Sequence, residues 1–183
     1  LGSGLFSPLS MGMGVASLPL VAGYPLAKRY TKYPQAVLAG VFNWSAPMGY
    51  AAAAGTLGGA VLPLYAGLAA WTFAYDTIYA HQDRADDEAA GMGSAALSLG
   101  PEGTRVWVPR LYGAAVAAWI GAGVVAGAGW PMFAGVAAAG AQLARQVRGL
   151  DLADPAACLA AFRSNVRVGY TLAAGIALNA LIM

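Results

Sequence analysis

Six runs of mainly apolar residues mark the chain, at positions 5–23, 36–54, 57–75, 108–127, 131–147 and 166–183. Each has roughly the 17–25 residues that a helix needs to cross a bilayer. Ala, Gly, Leu and Val dominate them, and their only charges, Arg110, Arg145 and Arg167, stand near their ends. Three polar segments separate the runs, at 24–35, 76–107 and 148–165, with two short breaks near Gly55 and Gly129. The pattern predicts an all-α fold, a polytopic transmembrane bundle of about six helices. Alternation puts the three long loops on one side, and both short breaks and the end at Met183 on the other.

Composition narrows the class. Hydrophobic residues make up 59% of the 183 and charged residues 10%, against roughly 45–50% and 25% in soluble domains. Mean hydropathy is +0.60. A soluble globular domain and a disordered chain are both excluded. The single cysteine, Cys158, rules out a disulfide framework. A net charge of +2, dispersed along the chain, argues against a nucleic-acid partner and leaves the lipid bilayer as the expected one.

All ten basic and all eight acidic residues lie in or beside the three long loops. The positive-inside rule then places those loops on the cytoplasmic side of a bacterial membrane or the matrix side of a mitochondrial one. Small residues such as Gly123 and Gly127, or Ala117 and Gly121, read as close helix-packing positions. Trp71, Trp107 and Trp130 read as interfacial anchors.

Candidate chemistry concentrates in Tyr75-Asp76-Thr77-Ile78-Tyr79-Ala80-His81-Gln82-Asp83-Arg84-Ala85-Asp86-Asp87-Glu88. If the helix from position 57 continued through it, Asp76, Asp83 and Asp87 would share one face, at seven- and four-residue steps. Such a carboxylate stripe invites a cation, and oxygen ligands without cysteine favour a hard ion such as Mg²⁺. Magnesium commonly completes its shell with water and substrate phosphates. A diphosphate head at the mouth of an apolar bundle suggests a prenyl diphosphate. An ordinary solvated acidic loop is the competing reading, and His81 reads as a surface histidine. On the same side, Lys28 and Arg29 could hold the diphosphate or a substrate carboxylate, or simply set topology. Asn43, inside an apolar run, is either a functional residue or an interhelical hydrogen-bond donor.

Taken together, Tyr24-Pro25, Lys28-Arg29-Tyr30-Thr31, Pro34-Gln35, Phe42-Asn43-Trp44 and the string from Tyr75 to Asp87 resemble the 4-hydroxybenzoate polyprenyltransferases. These belong to the UbiA-type intramembrane prenyltransferases of ubiquinone synthesis. Asp151-Leu152 through Phe162-Arg163-Ser164-Asn165 and Gly169 extend the resemblance over nearly the whole chain. It implies a single transmembrane prenyltransferase domain over 1–183, part of a nine-helix bundle with two facing Asp-rich motifs. The first of those motifs is not found in these residues, so the chain is expected to be the C-terminal two-thirds and inactive alone.

The resemblance further implies that Asp83 and Asp87, with Asp76 in support, hold Mg²⁺. Arg29, and with it Lys28, would bind substrate, and Asn43, Tyr24 and Tyr79 would line the cavity. Asp83, Asp87 and Arg29 would be the catalytic residues. The implied substrates are a polyprenyl diphosphate and 4-hydroxybenzoate. The implied location is the mitochondrial inner membrane, or else a bacterial inner membrane, with other ubiquinone-synthesis proteins as associates. Relatives usually carry a Lys where Gly93 stands, which puts one diphosphate contact in question. A different aromatic acceptor and a catalytically silent fragment are the alternatives. A transporter would place ionisable groups at mid-membrane, whereas these charges stay at helix ends.

On this reading, Arg29→Ala in the complete protein lowers prenyl transfer far more than Lys32→Ala. Product formation in membranes checks it, and equal effects would reduce the pair to a topology signal.

Overall fold

The computed structural model describes residues 7–183. Eight helices follow one another: α1 (Pro8–Tyr30), α2 (Pro34–Phe42), α3 (Ser45–Ala54), α4 (Val61–Tyr79), α5 (Arg84–Ala89), α6 (Ala95–Val125), α7 (Trp130–Arg148) and α8 (Pro155–Ile182). No strand occurs among the described residues. Three helices, α1, α6 and α8, are long and apolar enough by themselves to cross a membrane.

Local signals set the helix boundaries. Ser7 caps α1 by accepting from the Ser10 N–H at 3.1 Å, with Pro8 in the first turn. Ser94 and Asp154 cap α6 and α8 in the same way, accepting from Ala96 and Ala156 at 3.2 and 2.8 Å. Gly91 and Gly127, with φ of 63° each, supply the left-handed turns ahead of α6 and after it. Gly100 (φ 64°, ψ 178°), followed by Pro101, breaks α6 near its start.

Pairwise contacts establish an antiparallel path. Along α7 and α8, Gly129 meets Asn179, Gly135 meets Gly175, Gln142 meets Thr171 and Gln146 meets Ser164. Along α4 and α6, Gly67 faces Trp119 while His81 faces Thr104. Between α4 and α8, Trp71 meets Asn165 and Tyr75 meets Phe162. Helix α4 is therefore the central post, flanked by α2, α6 and α8. The core of Ala74, Ile78, Val108, Trp119, Val136 and Leu143 lies around it. Loops 31–33, 80–94 and 149–154 gather at one end of the bundle.

Several expectations need correction. The second apolar run is two helices, broken at Asn43, whose amide donates to Ala39 O and Thr72 Oγ1, both at 2.8 Å. The Asn43 backbone N–H also donates to Ala39 O, at 3.2 Å, so the side chain reinforces the last turn of α2 and ties it to α4. Segments 76–107 and 148–165 are largely helical, because α4 runs to Tyr79 and α8 begins at Pro155. The first run extends through Tyr30, and its positions 5 and 6 lie outside the described residues. Asp76, Asp83 and Asp87 do not share a helix face, since α4 ends at Tyr79 and α5 starts at Arg84. Trp71 is no anchor: it donates to Asn165 Oδ1 at 2.8 Å and packs edge-on against Trp119. Trp107 and Trp130 are exposed, as anchors would be. Gly123 does pack closely, on Phe133 and Met132, but Gly127 is a turn and Gly121 meets nothing.

Helices α7 and α8 approach closely at Gly135 and Gly175, where a Cβ on either would lie 2.8 Å from the other's Cα. Gly175→Ala must part α7 from α8 and should lower stability by about 1–3 kcal/mol. Gly121→Ala meets open space and should leave stability unchanged or raise it by about 0.5–1 kcal/mol. Thermal unfolding of both variants in detergent checks the contrast.

Candidate functional site

Six of the residues singled out from the sequence meet in one cavity. Tyr24 and Lys28 come from the last two turns of α1, Asp76 and Tyr79 from the end of α4, and Asp83 from the turn that follows. With Asp87 of α5, Pro34, Gln35 and Ala80, they line a space of about 110 Å³. The end of α4 points its last carboxylate into this space. The chain then turns through 80–83 and returns as α5, bringing in two more. A single continuous helix would spread the three acids over three turns, but the turn draws them together.

Asp87 is buried, and Lys28 Nζ pairs with its Oδ1 at 3.0 Å. This is the only ion pair among the described residues. Asp83 occupies the N-cap position of α5 without its side chain capping the helix, which leaves that carboxylate to the cavity. Asp86 and Glu88 face solvent. The α1–α2 turn is bolted to the entry of α6 by three more bonds. Gly93 N–H donates to Lys28 O at 2.7 Å, Ala95 N–H to Gln35 Oε1 at 2.9 Å, and Ser98 Oγ to Lys32 O at 3.0 Å. Lys28 is thus fixed through both its backbone and its side chain.

Other expected residues fall elsewhere. Arg29 is exposed and does not line the cavity, since its neighbour Lys28 takes the inward position. Asn43 also lies outside the cavity lining, tying α2 to Thr72 of α4. His81 is not at the surface. It is buried against Thr104, its Nε2 2.9 Å from that hydroxyl, and burial pushes its pKa down to about 4. The imidazole is therefore neutral at pH 7. Gln35 was not singled out, although it stands in the quoted Pro34-Gln35 pair. Its capping of Ala95, 60 residues away, left no local signal.

Gly93 has a structural account. A Cβ there would lie 2.0 Å from Thr31 O, so the chain carries glycine where the α1 terminus presses on this turn.

Among the described residues, no three His, Cys, Asp or Glu side chains are grouped to enclose a metal ion. The donor set nevertheless suits a hard cation that takes one or two carboxylates and finds its other ligands in water and phosphate oxygens. Asp83 and Asp87 are the carboxylates that could serve, with Asp76 beside them. The arrangement can therefore bind an anionic diphosphate through Lys28 and a divalent cation. Tyr75 and Tyr79 pack on Phe162, their centroids 5.5 and 4.7 Å away, as an aromatic wall beside it.

Comparison with known proteins bears on the family and the fold. The model of the UbiA prenyltransferase family matches residues 1–170. The mitochondrial 4-hydroxybenzoate polyprenyltransferases of Mus musculus, Caenorhabditis elegans and Aedes aegypti are 47%, 41% and 40% identical over 94% of this chain. The chain spans only 46%, 49% and 39% of those proteins, about half their length or less. Among solved structures, the apo form of a UbiA homolog from Aeropyrum pernix K1 superposes with a TM-score of 0.80 at 27% identity. That match covers 95% of this chain and 65% of the other.

Lys28→Met strands a buried carboxylate and should destabilise the fold by about 1–2 kcal/mol. This falls below the 3–5 kcal/mol of a fully buried pair, because the Lys28 side chain is 38% exposed. Lys28→Met combined with Asp87→Asn should recover most of the loss in a double-mutant cycle of thermal unfolding.

Proposed function

The chain belongs to the UbiA prenyltransferase family, and from that premise we propose that the complete protein prenylates 4-hydroxybenzoate. It would transfer a polyprenyl group from polyprenyl diphosphate to the aromatic ring, with Mg²⁺, in ubiquinone biosynthesis. One observation carries the reading: Asp76, Asp83, Asp87 and Lys28 converge on a single cavity at the polar end of an apolar bundle. The 40–47% identity to relatives named for this reaction supports the choice of acceptor.

Asp83 and Asp87 would hold the metal, with Asp76 in support. A bound Mg²⁺ supplies Lewis-acid neutralisation of the diphosphate as it leaves. Lys28, now paired with Asp87, lies where its ammonium can exchange a carboxylate for a diphosphate oxygen. As the allylic C–O bond breaks, the ring carbon ortho to the phenol attacks the allylic carbon, and the ring then loses its proton. Tyr24 and Tyr79 would face the reacting groups, and Arg29, exposed beside the cavity-lining Lys28, would meet the substrate's anionic end. The apolar helices exclude water, protecting the allylic cation from hydrolysis. The relatives' mitochondrial designation supports the mitochondrial inner membrane, with the charged loops on the matrix side. Association with other enzymes of ubiquinone synthesis fits that location.

In membranes that carry the complete protein, 4-hydroxybenzoate, a polyprenyl diphosphate and Mg²⁺ should yield the prenylated acid, and a chelator should abolish it. Asp83→Ala and Asp87→Ala should each cut transfer by about 10²-fold or more while membrane insertion stays normal. Turnover near the parental rate in either variant, or product that survives chelation, would overturn the metal role.

A further inference from the structure

A larger cavity of about 600 Å³ opens between α7 and α8, lined among others by Gln142, Arg145, Gln146, Arg167, Tyr170 and Thr171. It shares no lining residue with the carboxylate cavity. Its neutral polar groups are committed to holding the two helices together. Gln142 Nε2 donates to Thr171 Oγ1 at 2.8 Å, and Gln146 Nε2 donates to Ser164 Oγ at 2.7 Å and Ala161 O at 2.8 Å. The two guanidinium groups are not so committed. Neither is in an ion pair among the described residues, and both are exposed in the cleft.

Depth identifies what they face. Arg145 stands fifteen residues after Trp130 on α7, and Arg167 fifteen residues before Ile182 on α8. The two helices run antiparallel, so both arginines lie about 22 Å along the bundle from the same far end. A bilayer's hydrocarbon layer is about 30 Å thick, which leaves both Cα atoms short of its near boundary by about 8 Å. Extended arginine side chains carry their heads toward that boundary, just beyond which the phosphates of the headgroup layer lie. Tyr170, 73% exposed beside them, has the amphipathic ring favoured at that level. Basic clefts between transmembrane helices suit anionic lipid headgroups, and two forked guanidiniums match phosphate oxygens bidentately.

We propose that the α7–α8 cleft binds the phosphate of an anionic phospholipid through Arg145 and Arg167. The site is independent of the prenyl-transfer reading and needs no turnover to be tested. The complete protein, delipidated in detergent, would be titrated with phosphatidylglycerol, phosphatidylcholine or inorganic phosphate. Its thermal midpoint and the lipid retained in native mass spectra would be followed.

Phosphatidylglycerol should raise the midpoint and stay bound, while the other two should do neither. Arg145→Gln with Arg167→Gln should weaken phosphatidylglycerol binding by about 30-fold. Arg148→Gln, a residue that lines a different cavity, should leave binding unchanged. If the double variant does not fold, Arg167→Gln alone should weaken binding by about 5-fold. Equal effects of phosphatidylcholine, an unchanged affinity in the glutamine variants, or an equal response to inorganic phosphate would each overturn the proposal.

Discussion

Hydrocarbon offers no hydrogen bonds, and this constraint shapes how the helices of the bundle begin and end. Within a bilayer the backbone must satisfy itself, which a helix does and an interruption does not. Several interruptions here recruit a named side chain, whereas α3, α4 and α5 begin without a side-chain cap. Asn43 braces the end of α2 against Thr72 of α4 where α2 gives way to α3, and Asn179 covers the Gly129 N–H at the start of α7. Gln35 and Ser94 cover the first amides of α6. Several polar side chains are therefore splints for the backbone, and those of Gln35 and Asn179, which reach across 60 and 50 residues, are tertiary contacts as well.

The same splints assemble the candidate site. Gln35 reaches the head of α6 and Gly93 N–H reaches Lys28 O, so the α1–α2 turn cannot shift without disturbing the 91–95 turn. The Lys28–Asp87 pair closes that frame with charge. Its worth lies less in net stability, since burying both ions costs much of what their attraction returns, than in fixing where the ammonium and carboxylates stand. A group that must meet a diphosphate gains from such fixed placement.

Two polar features of the bundle divide by chemistry. Near α4 and α5, acids outnumber bases and the setting suits cations and phosphates together. Between α7 and α8 only arginines carry charge, and amides and hydroxyls do the bridging. The core of Trp119, Val136 and Leu143 separates neighbouring helices by close packing, which small residues such as Gly67 and Gly135 permit.

Residue types and their order determined the class. Apolar runs of spanning length fixed an all-helical membrane bundle, and charges confined to alternate loops fixed which loops share an end. The wording around Asp76, Asp83 and Asp87 pointed to the family. Tertiary structure decided the rest, because each remaining answer depends on partners far away in sequence. The turn at 80–83 gathers the carboxylates, a result that spacing along one helix described wrongly. Lys28 rather than Arg29 faces the cavity because α1 ends at Tyr30 with that side toward α4 and α5. Asn43 bridges to Thr72, His81 is buried on Thr104, and Trp71 leaves the interface for Asn165. Local patterns report which face of a helix is apolar, but only the packed neighbours decide which polar side chain on it finds a partner.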